Sequence, residues 1–185
     1  MNRILVVGTV SENPFAIDVA HAFGQQADPS DVVSLKNFAN GEFCPRFISD
    51  EQDLTRIGAK LEGSTVVIVS VDNVGHTRQG LAMRNVLIAR AAKDNGAAKV
   101  ILVEPDLYYS AQDRGPRPDQ GIVVSPRDVA DRKKFDGQPF SSLLYAQLLK
   151  VSGVDAVITV HNHSHSVQEV FRETFGGAFE NLVPD

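Results

Sequence analysis

The chain has 185 residues, 43% of them hydrophobic and 22% charged, and a formal net charge of -5. This length and balance suit one globular unit with a sizeable core and exclude a disordered chain. The acidic balance also disfavours a nucleic-acid binder, which needs a basic surface to displace counterions from phosphates.

Cys44 is the sole cysteine, so the chain forms neither an internal disulfide nor a cysteine cluster for zinc, and a reducing compartment is expected. The first apolar run, Ile4 to Val7, is too short for a signal peptide or a membrane span. A cytoplasmic protein with no membrane partner is the expectation.

In chain order, Ile4 to Val7 reads as a strand buried on both faces. Phe15, Val19, Ala22 and Phe23 then form a helical stripe that stops at Gly24. Leu35 to Ile48 reads as a β-hairpin turning at Asn40-Gly41, two residues that tolerate positive φ. Val66 to Val71 and Val100 to Val103 are further aliphatic strands, separated by a helix around Leu81 to Ala92 that Asn95-Gly96 ends. Asp113 to Gln138, rich in Pro, Gly and charge, reads as a long loop or insertion. Pro139 is placed at the first position of a helix carrying Phe140, Leu143, Leu144, Leu148 and Val151, which runs to Gly153. Ala156 to Val160 is the last expected strand, and Val167, Val170, Phe171 and Phe175 stripe the last helix. Strand and helix alternating in this way predict an α/β fold with a mostly parallel sheet flanked by helices.

Ligands of such sheets gather beyond the carboxyl ends of the strands. Two segments fall there. Tyr108-Tyr109-Ser110-Ala111-Gln112-Asp113-Arg114 combines an aromatic, an amide, a carboxylate and a guanidinium, a set that can hold a nucleotide, although by composition alone a polar surface loop is its commoner origin. His161, His163 and His165 occupy alternate positions after the last strand. An extended backbone would aim all three at one metal ion, and a turn would leave them as solvated loop histidines. Neither a GxGxxG fingerprint nor a GxxxxGK[ST] loop occurs, and Cys44 has no base near it in sequence to make it a nucleophile.

Five segments, in order, resemble the N-terminal half of ribose-phosphate pyrophosphokinase. They are Phe38-Ala39-Asn40-Gly41-Glu42 with Arg46, Tyr109 to Arg114, Pro139-Phe140-Ser141, Ile158-Thr159-Val160 leading to His163, and Asn181-Leu182. The resemblance implies a phosphoribosyltransferase-like domain spanning residues 1–185, with the second, ribose 5-phosphate-binding domain absent from this chain. It implies the ATP-binding half of an enzyme moving diphosphate from Mg-ATP to ribose 5-phosphate, giving phosphoribosyl pyrophosphate and AMP. Phe38, Asn40, Gly41 and Glu42 would approach adenine across a homo-oligomer interface, and Gln112, Asp113 and Arg114 would belong to the partner subunit's ATP loop. His163, with His161 where the family usually has Asp, would meet the metal, Mg2+, and the triphosphate.

No catalytic residue is expected within this half, so the 185 residues alone should not turn over. Ala111 stands where the family carries arginine, Gly137 replaces the arginine before a Glu-Pro pair, and Gln138 replaces the glutamate. Arg114, Arg117, Arg127, Arg132 and Lys133 are candidates for restoring the lost charge. A non-catalytic regulatory or assembly homologue is the alternative reading, and a metal-binding domain built on the three histidines is a third.

Overall fold

The computed structural model describes residues 3–48, 52–122 and 126–184. Thirteen elements follow in the order β1 (Ile4–Gly8), α1 (Pro14–Ala22), α2 (Pro29–Val32), β2 (Val33–Asn37), β3 (Phe43–Phe47), β4 (Thr65–Val69), α3 (Arg78–Asp94), β5 (Lys99–Val103), α4 (Val129–Lys133), α5 (Ser141–Ser152), β6 (Ala156–Val160), α6 (His165–Thr174) and β7 (Phe179–Leu182). The sheet is parallel throughout, in the order β1-β4-β5-β6-β7, and β2 and β3 form a separate antiparallel pair. The four expected strands are all present. β7 was not anticipated, because Phe179–Leu182 carries Glu180 and Asn181 and lacks the continuous aliphatic run of a doubly covered strand.

One face of the sheet carries the main core. Leu5, Val66, Ile68, Leu102 and Val157 meet Leu81, Ile88, Leu149, Val167 and Phe171 from α3, α5 and α6, with Val33 and Phe47 of the hairpin joining in. The opposite face is covered over β1 and β4 by α1, through Ala16 and Ala20 against Val6, Val67 and Val69. Ile101 and Val103 of β5, and Ile158 and Val160 of β6, are only half-buried.

Two helices turn other faces inward than their apolar stripes predict. In α1, Phe15 and Phe23 are exposed, and Ala16 and Ala20 face the sheet. Small residues four apart let that helix sit close against the β-branched strands, which a phenylalanine face would prevent. In α5, Leu144 and Val151 are exposed, whereas Tyr145, Ala146 and Leu149 are buried. That helix is apolar on two sides, so periodicity does not decide between them. It also starts at Ser141 with Phe140 as its cap, two residues after the expected Pro139. α6 buries Val167, Phe171 and Phe175 as its stripe predicts.

Candidate active site at the carboxyl edge

β1, β4, β5 and β6 deliver Thr9, Ser70, Glu104 and His161 to one edge of the sheet. Thr9 and Ser70 are buried, with Thr9 Oγ1 donating to Ser70 Oγ at 3.4 Å and Ser70 Oγ donating to Tyr108 Oη at 3.3 Å. Burial pushes the Tyr108 hydroxyl well above its ordinary range, so it stays protonated and polar at neutral pH.

Beside this floor lies a cavity of about 380 Å³ lined by Arg78, Gln79, Asp106 and the run Tyr108 to Gln112. Its backbone is bent to order: Tyr109 sits at φ 61°, in a region non-glycine residues seldom adopt. The bend lets Gln112 N-H donate to the Tyr109 carbonyl at 3.1 Å, and Gln112 in turn receives the Ser141 hydroxyl on its side-chain oxygen and the Ser142 N-H on its carbonyl. Arg78, at the start of α3, is the cation of the cavity. It donates to Asp72 at 2.8 Å and Asp106 at 2.6 Å and lies 4.8 Å from the Tyr108 ring centre. Sequence reading missed this residue, because it lies thirty-odd positions before the loop it faces.

Under the cavity, Glu104 is fully buried. Its carboxyl group accepts from Tyr145 Oη and Asn85 Nδ2, each at 2.7 Å, and from the Tyr108 N-H at 2.5 Å. Desolvation outweighs those hydrogen bonds and pushes its pKa up to about 8. Among the described residues, the Asn85 side-chain oxygen has no hydrogen-bond partner.

Asp113 closes the loop onto the histidine segment. Its Oδ2 accepts from Ser164 Oγ at 2.8 Å and its carbonyl from Ser166 Oγ at 2.6 Å. Arg114 does not line the cavity: it lies 3.3 Å from Asp113 and 3.0 Å from Asp131, and over the Phe135 ring. Arg127 joins the same cluster, 2.7 Å from Asp131, and holds the carbonyls of Arg117 and Gln120. These arginines organise the insertion, whose residues 123–125 lie outside the described ones.

The three histidines do not share a face. His161 takes a left-handed φ of 54°, its N-H donating to the Leu182 carbonyl at 2.7 Å, and His165 opens α6. His161 and His163 pack edge to face at 4.3 Å and both are exposed. Among the described residues, no three His, Cys, Asp or Glu side chains converge on a metal position. Two imidazoles offer only nitrogen donors, a poor match to Mg2+, which prefers oxygen. The hairpin residues Phe38, Asn40, Gly41 and Glu42 form an exposed tip, braced by Phe38 N-H to the Glu42 carbonyl at 2.8 Å and Glu42 N-H to Asn40 Oδ1 at 3.1 Å. They do not line the Gln112 cavity.

No family model matches the chain. It is 24% identical over 168 residues to a ribose-phosphate pyrophosphokinase of Methanothermobacter thermautotrophicus, covering 91% of this chain and 47% of that protein. It is 26% identical over 139 residues to the ribose-phosphate pyrophosphokinase of Aeropyrum pernix, covering 75% of this chain and 38% of the relative. The fold is similar to the crystal structure of phosphoribosylpyrophosphate synthetase from Mycobacterium smegmatis, with TM-score 0.70 and 18% identity over 98% of this chain and 49% of that one. The chain thus spans about half the length of the relatives it matches, and it is a divergent, partial likeness of them. No described helix is long and apolar enough to cross a membrane.

Proposed function

We propose that this chain, a divergent relative of the ribose-phosphate pyrophosphokinases, is the ATP-binding half of a diphosphokinase that transfers diphosphate from Mg-ATP to ribose 5-phosphate. The observation that carries the reading is the juxtaposition at the carboxyl edge. The Gln112 cavity and the histidine segment, separate in sequence, are bound into one unit through Asp113 and Ser164.

Mg2+ enters as part of the substrate, because His161 and His163 offer no oxygen donor of their own. Gln112, fixed by Ser141 and Ser142, hydrogen-bonds the nucleotide from the cavity wall. Arg78 stands in the cavity wall, where Ala111 offers no charge, with Asp72 and Asp106 as its partners, and the arginines of the insertion are held by Asp131. His163, exposed one residue before the Ser164 contact, reaches the triphosphate end. Phe38, Asn40, Gly41 and Glu42, exposed on a hydrogen-bonded hairpin tip, serve a second copy of the chain in a homo-oligomer.

The ribose 5-phosphate site belongs to the second domain of the enzyme, so these 185 residues bind nucleotide without turnover. Calorimetric titration with Mg-ATP tests this. Saturable binding that Gln112→Ala weakens tenfold or more supports the reading, and absence of binding rejects it.

A further inference from the structure

A second cavity, of about 650 Å³, lies between the β2–β3 hairpin and the beginning of α3; the proposed chemistry uses Gly41 and Glu42 on its hairpin side and none of its α3 side. Arg84 is half-buried in its wall, with its guanidinium 4.3 Å from the Phe43 ring centre. Nη1 donates to the carbonyl of Thr9 at 2.9 Å, and among the described residues this is its only hydrogen bond, with no carboxylate at ion-pair distance. Burial alone acts on the group, drawing its pKa down, and no acidic neighbour pulls it back.

An arginine does not shed its proton in a protein, so a partly desolvated guanidinium whose partners are one carbonyl and one aromatic ring has no counter-charge to offset its lost hydration. The contrast within the molecule is direct: Arg78, Arg114 and Arg127 each face a carboxylate. The same wall carries Thr77, the N-cap of the 17-residue α3, whose hydroxyl accepts from the Gly80 N-H at 3.0 Å and keeps its own hydrogen to donate. Partial positive charge at that helix start adds to the field of Arg84. Among the described residues Glu42 is the one acid lining the cavity, and it is exposed, so water screens it.

We propose that this cavity binds the phosphate or carboxylate group of a small molecule, anchored by Arg84 and Thr77, with Phe43, Met83 and Leu87 against its organic body. The volume falls within the range of roughly 300–1,000 Å³ usual for small-ligand sites. The proposal rests on Arg84 and Thr77, which the diphosphokinase reading does not use, so either can fail without the other, although Gly41 and Glu42 belong to both.

The test is a 15N NMR titration of the full chain with inorganic phosphate and, separately, acetate. Saturable shifts confined to the Gly75 to Gly80 amides and the Arg84 Nε-H support the site. Phosphate alone identifies a phosphoryl ligand, acetate alone a carboxylate. Arg84→Gln should weaken binding at least tenfold, and Arg90→Gln, which removes a similar charge from the exposed face of α3, should leave it unchanged. Absence of saturable shifts with either anion, shifts centred on Ser110 to Gln112, or equal affinity in Arg84→Gln overturns the proposal. Should Arg84→Gln fail to fold, the shift map of the unaltered chain decides.

Discussion

Ser164 and Asp113, 51 residues apart in sequence, meet through a hydrogen bond of 2.8 Å that ties the start of α6 to the loop after β5. The same hydroxyl accepts from the Val167 N-H at 3.3 Å, so Ser164 caps the helix and fastens the loop together. Ser164→Ala should therefore cost about 1 kcal/mol, the usual price of a lost N-cap, and should also weaken Mg-ATP binding. Urea denaturation and calorimetry on the same samples check the pair of effects. Loss of stability with unchanged nucleotide affinity would detach the histidine segment from the site.

Of the three histidines, position 163 should matter most to the nucleotide. His163→Ala is expected to reduce Mg-ATP affinity several-fold, while His165→Ala, at the exposed first position of α6, changes it little. Equal losses in the two titrations would remove the assignment of His163.

The buried carboxyl group of Glu104 makes stability depend on pH. Its pKa rises from 4.5 to about 8 on folding because burial disfavours the charged form. Between those values the native state holds the proton more tightly than the unfolded chain, so stability falls as pH rises through that window and levels off above it. Glu104→Gln removes the titration. Its urea midpoint, measured from pH 5 to pH 9, should gain on that of the unaltered protein up to about pH 8 and keep a constant lead above it. Parallel curves would mean that the carboxyl group ionises in the folded state as it does in the unfolded chain.

The insertion hangs on Asp131, which pairs with both Arg114 and Arg127. Asp131→Asn should free the 115–138 segment for proteolysis and leave the sheet intact. Limited trypsin digestion should show cleavage there several-fold faster, with a protected remainder. Uniform acceleration across the chain would point to a global defect instead.

Much of the architecture was legible in residue order because its signals are local. Continuous aliphatic runs such as Val66–Val69 suit strands covered on both faces, and Asn40-Gly41 allows the positive φ that the hairpin turn uses at Gly41. Helix ends at Gly24, Gly96 and Gly153 followed from the same rule. The polar loop after β5 and the histidines after β6 also stood out, since chain order places both at the carboxyl edge.

What only the tertiary structure decided is which side chains meet. Helices apolar on two sides, such as α5, chose their inner face by what the sheet presents, so Tyr145 went inward to Glu104 and Leu144 outward. Arg78 reached the Gln112 cavity, and Arg114 and Arg127 were drawn to Asp131, because charge pairing depends on distances in space that spacing along the chain does not encode. The left-handed turn at His161 likewise broke the alignment an extended strand would have given the three imidazoles, packing His161 against His163 and leaving His165 at the start of α6.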